Sequence, residues 1–98
     1  MFFVTLTFGT NRAAAPRFMA EHKAWIERGF ADGVFLLTGS LAGGAGGAVL
    51  AHATSRDGLE RRLAEDPFVA EGIVTVDVAE VAPGMTDARL AFLRPQSA

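Results

Sequence analysis

The amino-terminal segment Phe2–Phe8 alternates strictly between two sets of side chains. Its even-numbered residues are all large and apolar, whereas its odd-numbered residues include two threonines. Successive side chains of a β-strand point to opposite faces, so this period of two predicts a strand that buries one face. The chain must therefore build a sheet and cover one side of it.

Apolar residues then recur with the period of a helix. Pro16 suits the first turn, because its missing N–H needs no partner there. After Pro16, one face of the predicted helix carries Phe18, His22, Trp25, Ile26 and Gly29. The helix is predicted to end near Gly33, since glycine is favoured just past a helix end.

The remaining patterns predict three more strands and one more helix. The strands cover Val34–Ser40, Ala48–Ala53 and Ile73–Val81, and the helix covers Ser55–Glu65, with Thr54 as its N-cap and Pro67 as its stop. The order βαββαβ is that of the ferredoxin-like α+β fold, a four-stranded antiparallel sheet with two helices on one face. Residues 1–82 form this domain, and residues 83–98 form a tail, either a weak helix or an interface arm.

The uncovered face of this sheet has a mixed character. It is predicted to carry Phe3, Thr5 and Thr7 from the first strand with Ile73, Thr75 and Asp77 from the last. A mixed face in a fold with helices on one side only is typical of pairing with a partner's sheet or of lining a cleft, and the high apolar content of so small a chain favours pairing. We therefore expect a homodimer.

Composition excludes several classes of function. The chain has 98 residues, enough for one domain, and no cysteine, so it has no disulfide framework, thiol nucleophile or thiolate-bound zinc. Two histidines in different predicted elements do not make a metal-binding cluster. A net charge of −2 offers no footprint for nucleic acid, and no apolar run is long enough to cross a membrane. We expect a cytoplasmic protein without metal or organic cofactor.

His22 and Asp66 are the strongest candidates for chemistry. His22 lies on the apolar stripe of the first helix, either as a core histidine or as an acid/base at a pocket wall, since imidazole titrates near neutrality. Asp66 is predicted at the carboxyl end of the second helix, where the dipole disfavours a negative charge. It either stops the helix in an Asp-Pro turn or accepts a hydrogen bond from His22. His52 is expected at the surface.

Ser40 and Phe68 are candidate substrate-binding residues. Ser40 ends the second strand beside a glycine, where its hydroxyl could bond a ligand, and Phe68 follows the Asp66-Pro67 pair. The glycine-rich run 43–47 lacks the Lys-Ser/Thr of a phosphate-binding loop, and it joins two strands instead of opening a helix. A hairpin connection is the better interpretation.

Four of these features together resemble the YCII-related (YciI-like) family over residues 1–82. They are the strand MFFVTLTF, the His22-x-x-Trp25 helix, the Thr38-Gly39-Ser40 strand end and the segment Asp66-Pro67-Phe68-Val69-x-x-Gly72. The resemblance implies a dimeric α/β barrel with a His–Asp pair at its active site, here His22 and Asp66. It also implies similarity to folds of the muconolactone isomerase type and to a dehydrochlorinase of a chlorinated hydroxyquinol. Family members often have proline where this chain has Ser40.

Two functions fit these observations. The first is an enzyme that moves protons on a small cyclic or aromatic-derived molecule, by elimination or isomerisation, with His22 as the acid/base and Asp66 as its orienting partner. The second is a non-catalytic dimeric module for small-molecule binding, in which the pair is structural. A pocket open to solvent beside His22 would favour the enzyme, and a sealed site would favour the module.

Overall fold

The alternating amino-terminal strand lies inside an antiparallel sheet. The computed structural model describes residues 1–94, and its four strands are arranged in the order β2-β3-β1-β4. The strands are β1 (Phe2–Phe8), β2 (Phe35–Ser40), β3 (Gly46–Ala51) and β4 (Val74–Glu80), and the helices are α1 (Ala15–Ala31), α2 (Arg56–Ala64) and α3 (Pro67–Ala70). The predicted βαββαβ order and antiparallel sheet are confirmed, with α3 as an unpredicted addition.

The helix-facing side of the sheet forms the core together with α1 and α2. Phe2 pairs with Ala51, which pairs in turn with Phe35, and all three are buried. Gly29 brings α1 close to β2, because a Cβ at this position would lie 2.1 Å from the Phe35 ring. Trp25 is buried between the two helices, and its Nε1–H donates to the carbonyl oxygen of Arg62 at 2.9 Å. This bond ties α1 to α2.

Helix α2 begins one residue later than predicted. Its N-cap is Ser55, whose Oγ accepts a hydrogen bond from the Gly58 N–H at 3.0 Å. The assignment of Thr54 as the cap was therefore wrong. The Thr54 hydroxyl instead donates to the carbonyl of Ser55 at 3.3 Å.

Ile73 does not lie on the exposed sheet face, and that prediction was wrong. Its side chain is 0% exposed and belongs to the core. The strand begins only at Val74, and Gly72 before it adopts a positive φ of 67°. The N–H of Ile73 donates to the carbonyl of Phe68, so the turn after α3, and not the alternation of β4, sets the direction of this side chain.

The outer face of the sheet carries a row of apolar side chains. Leu37 pairs with Leu50, which pairs with Phe3, and the side chains of Leu37 and Phe3 are 60% and 50% exposed. Thr75 and Asp77 are exposed on this side of β4, as predicted. The face thus combines an apolar row with polar residues.

The carboxyl-terminal segment returns toward the sheet. Asp87 caps a 3₁₀ turn over Ala88–Leu93, and the Phe92 ring lies edge-on against His52, with ring centroids 5.5 Å apart. The turn agrees with the predicted weak helix, and positions 95–98 of the predicted tail lie outside the described residues. In residues 1–94, no helix is both long and apolar enough to cross a membrane.

Candidate active site

His22 and Asp66 meet between α1 and the start of α3. The Nδ1 of His22 lies 2.8 Å from Oδ1 of Asp66, so the contact predicted from the sequence is present. The carboxylate is 0% exposed, whereas the imidazole is 14% exposed. Because an ionised carboxylate only accepts hydrogen bonds, Nδ1 carries the proton in this contact. The other ring nitrogen, Nε2, has no hydrogen-bond partner within residues 1–94.

Asp66 is held in place by the short helix that it caps. Helix α2 ends at Ala64, and Asp66 adopts an extended conformation with Pro67 as the first residue of α3. Its Oδ1 also accepts from the N–H of Phe68 at 3.0 Å. Asp66 thus follows the C-cap of α2, as predicted, and its N–H donates to the carbonyl of Leu63 at 3.1 Å. It is also the N-cap of α3, which the sequence analysis did not predict.

Phe68 fixes the plane of the His22 ring. The two rings are stacked with centroids 4.0 Å apart and an interplanar angle of 4°. Trp25 lies on α1 one turn further on, with its ring centroid 5.9 Å from that of His22. Asp66 and Phe68 thus supply an acceptor to one edge of the imidazole and a flat surface to one of its faces.

A cavity of about 310 Å³ lies beside this pair, between α1 and the inner face of β2 and β3. Its wall includes His22, Phe68 and Ser40. Asp66, the fourth predicted site residue, does not line the cavity. It is linked to the cavity wall by its hydrogen bond with His22. The remaining wall is mostly apolar and is formed by Leu6, Phe8, Met19, Trp25, Ile26, Val49 and Val74.

Glycines keep the far end of this cavity open. Gly47 pairs with Leu6 and Ser40 on the helix-facing side, and a Cβ there would have only the Gly39 carbonyl within 4 Å. Gly46 is required by the backbone, since its φ is 150° and a Cβ would fall 1.9 Å from the carbonyl oxygen of Leu6. Residues 41–45 connect the antiparallel strands β2 and β3, as the hairpin interpretation predicted, and Gly46 and Gly47 already belong to β3.

Two polar residues of the cavity wall were missed in the sequence. Thr38 lies on the same side of β2 as Ser40, and Lys23 lies on α1 next to His22. Helical spacing carried a signal for Lys23, because it is four residues after Met19 and three before Ile26, and both of these line the cavity.

The second histidine lies outside the candidate site. His52 packs against Phe92 and does not line the cavity. In the part of the chain that the structure describes, no group of three or more His, Cys, Asp or Glu residues could hold a metal ion. The polar side chains of the cavity wall are the imidazole of His22, the hydroxyls of Thr38 and Ser40 and the amine of Lys23.

Known proteins share this architecture. The solved structure of 5-chloro-2-hydroxyhydroquinone dehydrochlorinase from Burkholderia phenoliruptrix, in complex with 2,5-dihydroxybenzoquinone, superposes with a TM-score of 0.69 at 20% identity, over 86% of this chain and 96% of that one. Muconolactone isomerase superposes with a TM-score of 0.71 at 18% identity, over 89% of this chain and 93% of that one. The predicted ferredoxin-like fold of the subunit is thereby confirmed, and its assembly into a dimer stays a prediction.

Sequence comparison gives the family directly. A comparison with curated proteins finds no match. The family model of the YCII-related domain matches residues 1–82, which is most of the chain and includes every residue of the candidate site. The resemblance drawn from the strand, helix and Asp-Pro-Phe motifs is confirmed, and the chain belongs to the YCII-related domain family.

Proposed function

We propose that this protein is a small cytoplasmic enzyme that transfers protons on a cyclic organic molecule. His22 is the acid/base, and Asp66 is the positioning residue that holds its ring. One observation carries the proposal: the bond from Nδ1 to Asp66 leaves Nε2 as the nitrogen available to a ligand in the adjoining cavity. This is the arrangement that a general base requires, with one nitrogen oriented and the other free.

The reaction that fits this group is elimination or isomerisation. Nε2 removes a proton from carbon, and the electron pair of that C–H bond forms a double bond. In an elimination the bond from the neighbouring carbon to a leaving group breaks, and its electron pair departs with that group. In an isomerisation an existing neighbouring double bond breaks instead, and its electron pair takes the proton back from the imidazolium at another carbon. The Asp66 carboxylate stabilises the positive charge that His22 carries between the two steps.

The relatives support this reaction class. One is named as a dehydrochlorinase and was solved with a quinone, and the other is named as an isomerase. One fold hosts many reactions, so this similarity supports a class of chemistry and leaves the substrate to be identified. Ser40 and Phe68 are proposed to contact the substrate, since both line the cavity.

The alternative is a non-catalytic module in which the pair is structural. A purely structural histidine is expected in a sealed, packed site. His22 is instead partly exposed, at 14%, and adjoins a cavity. This exposure favours the enzyme.

We also propose that the protein is a homodimer formed through the outer sheet face. The row Leu37, Leu50 and Phe3 is apolar and partly or largely exposed in a single chain. Burying such a row against its counterpart would remove apolar surface from water on both subunits. The helices already cover the opposite side, so the outer face is the one left for a partner.

Hydrogen exchange from solvent tests the catalytic proposal. Muconolactone and 5-chloro-2-hydroxyhydroquinone would be incubated with the protein in D₂O, and deuterium incorporation, isomerisation and chloride release would be followed by NMR and ion chromatography. We expect wild type to accelerate at least one of these processes, and His22→Gln to lower the rate by roughly 10²–10⁴-fold.

His52→Gln is the matched control, because it removes the other histidine and leaves the cavity intact. It should retain the wild-type rate. Equal rates in wild type and His22→Gln would contradict the proposal, as would a wild-type protein that binds these compounds in the cavity without any proton exchange. The second result would favour the binding module.

A further inference from the structure

Lys23 gives the cavity a charge that the proton-transfer proposal does not use. It is the only lysine in the chain, and it lines the cavity beside His22. Within residues 1–94 it makes no ion pair with any carboxylate, although several arginines do. Lys23 is an exposed residue, and an exposed ammonium without a protein partner at the wall of a mostly apolar cavity is available to an anionic ligand.

No acidic side chain of the described residues lines the cavity to balance this charge. Glu21 and Glu27 lie on the same helix but are exposed and outside the cavity wall. The Asp66 carboxylate is buried and directed to His22 and the Phe68 N–H. A ligand in the cavity would therefore meet Lys23 and no carboxylate of the described cavity wall.

A second cation lies close to the wall. The guanidinium carbon of Arg12 is 4.4 Å from the centre of the Phe8 ring, and Phe8 lines the cavity. A Cβ on Gly44, in the β2–β3 connection, would lie 3.7 Å from a terminal nitrogen of Arg12. Arg12 thus bridges Phe8 and the glycine-rich connection, and it adds to the positive potential near the cavity.

The cavity also limits the size of its occupant. Its volume of about 310 Å³ is at the lower end of the range for small-molecule sites. The Thr38 and Ser40 hydroxyls make no hydrogen bond within residues 1–94 and remain available as donors or acceptors. The apolar walls suit a flat ring, and these hydroxyls suit its polar substituents.

We propose that the ligand is a one-ring organic anion whose charged oxygen is bound by Lys23. This inference rests on the proposed function, since it takes the cavity beside His22 to be the active site. Lys23 is then a specificity-determining residue that separates anionic from neutral compounds of the same shape. It also places the ligand's ring against the imidazole that His22 presents.

A pair of isosteric probes tests the charge requirement. The probes are 2,5-dihydroxybenzoate and the neutral 2,5-dihydroxybenzamide, titrated into the protein while the ring signals of His22 and His52 are followed by NMR. We expect both probes to shift His22, with tighter binding of the benzoate. Lys23→Gln should weaken benzoate binding roughly tenfold and leave benzamide binding unchanged, because a hydrogen bond to a charged group is lost.

Arg17→Gln is the matched control. It removes the same charge from the same helix at an exposed residue outside the cavity wall. It should change neither affinity. Equal losses in Lys23→Gln and Arg17→Gln would overturn the inference and assign the effect to net charge, and equal wild-type affinities for the two probes would also overturn it. In both cases, a shift of the His22 ring signals on adding a probe would still support the proposed site. If neither probe shifts these signals, the site and the inference are rejected together.

The single lysine allows a direct second measurement. Reductive methylation with ¹³C-formaldehyde labels only Lys23 and the terminal amine of Met1, and it keeps the positive charge. The benzoate should shift the Lys23 methyl signal. The Met1 signal should stay in place, because that amine donates to the carbonyl of Val81, away from the cavity. An unmoved Lys23 signal at saturating benzoate would overturn the proposed contact.

Discussion

The Nδ1 of His22 lies 2.8 Å from Oδ1 of Asp66, although the two residues are 44 positions apart. The same carboxylate oxygen accepts from the Phe68 N–H, and the Phe68 ring stacks on His22. Three consecutive residues, Asp66 to Phe68, therefore orient the imidazole and start the helix that carries them. This shared geometry makes the orientation of His22 depend on the local fold of α3.

Asp66→Asn should impair proton transfer more than stability. His22 Nδ1 and the Phe68 N–H both contact Oδ1. An amide oxygen at that place keeps the Phe68 bond but lacks the negative charge that favours the imidazolium, whereas an amide nitrogen there donates to Nδ1, reverses the tautomer and gives up the Phe68 bond. We expect a rate decrease of roughly 10²-fold or more with a loss of only about 1–2 kcal/mol in unfolding free energy. Long-range ¹H–¹⁵N spectra of His22 report the tautomer, and urea denaturation reports the stability. An unchanged tautomer and rate would show that the carboxylate does not act on His22.

Phe68→Leu should separate ring orientation from core stability. Leucine fills most of the buried space but offers no flat surface to the imidazole. The matched control is Phe2→Leu, a change at an equally buried phenylalanine that does not line the cavity. Each variant should lose about 1 kcal/mol in denaturant unfolding. Only Phe68→Leu should also lower the proton-transfer rate, by roughly tenfold, through misplacement of Nε2. Matching rates in the two variants would show that stacking does not orient His22.

Phe3→Asp should disrupt the proposed dimer. Full burial of Phe3 at an interface contributes about 1.5–3 kcal/mol per subunit, and a carboxylate there would be desolvated without a partner. We expect this variant to be monomeric or aggregated in size-exclusion chromatography with light scattering. Ala20→Asp, at an exposed residue of α1, should remain dimeric. Wild-type protein that stays monomeric at high micromolar concentration would contradict the proposal.

Asp87 should titrate below its ordinary value. The side chain and N–H of Arg89 both donate to this carboxylate, and they hold the pKa of Asp87 below its ordinary value. A pKa that is lower in the folded state stabilises the cap above the unfolded value, and this contribution is lost as pH falls through the folded value. The 3₁₀ turn over Ala88–Leu93 should therefore loosen in acid, as pH falls through the folded pKa of Asp87. Carboxyl ¹³C titration of wild type and Arg89→Gln measures the shift, and the pKa of Asp87 should rise in the variant. An equal pKa in both proteins would refute the role of Arg89.

Local periodicity determined the main elements of this protein. The alternation of Phe2–Phe8 and the apolar stripe of α1 each repeat over at least two periods, so each identifies a strand or a helix and its buried face without further information. The order of these elements then restricts the topology to the ferredoxin-like sheet. His22 could be selected because it is a titratable residue on a stripe that must face the core.

The tertiary structure decided what short or distant segments do. Helix α3 spans four residues, too few to show a period, and it forms because Asp66 caps it and Phe68 packs into the core. Ile73 turns inward because the chain leaves α3 through Gly72. The contact of His22 with Asp66 and the place of Lys23 in the cavity wall depend on how α1 and α3 pack over the sheet. Spacing along α1 indicates which of its residues share a face, but it does not give the distance between residues on different elements, because packing sets that distance.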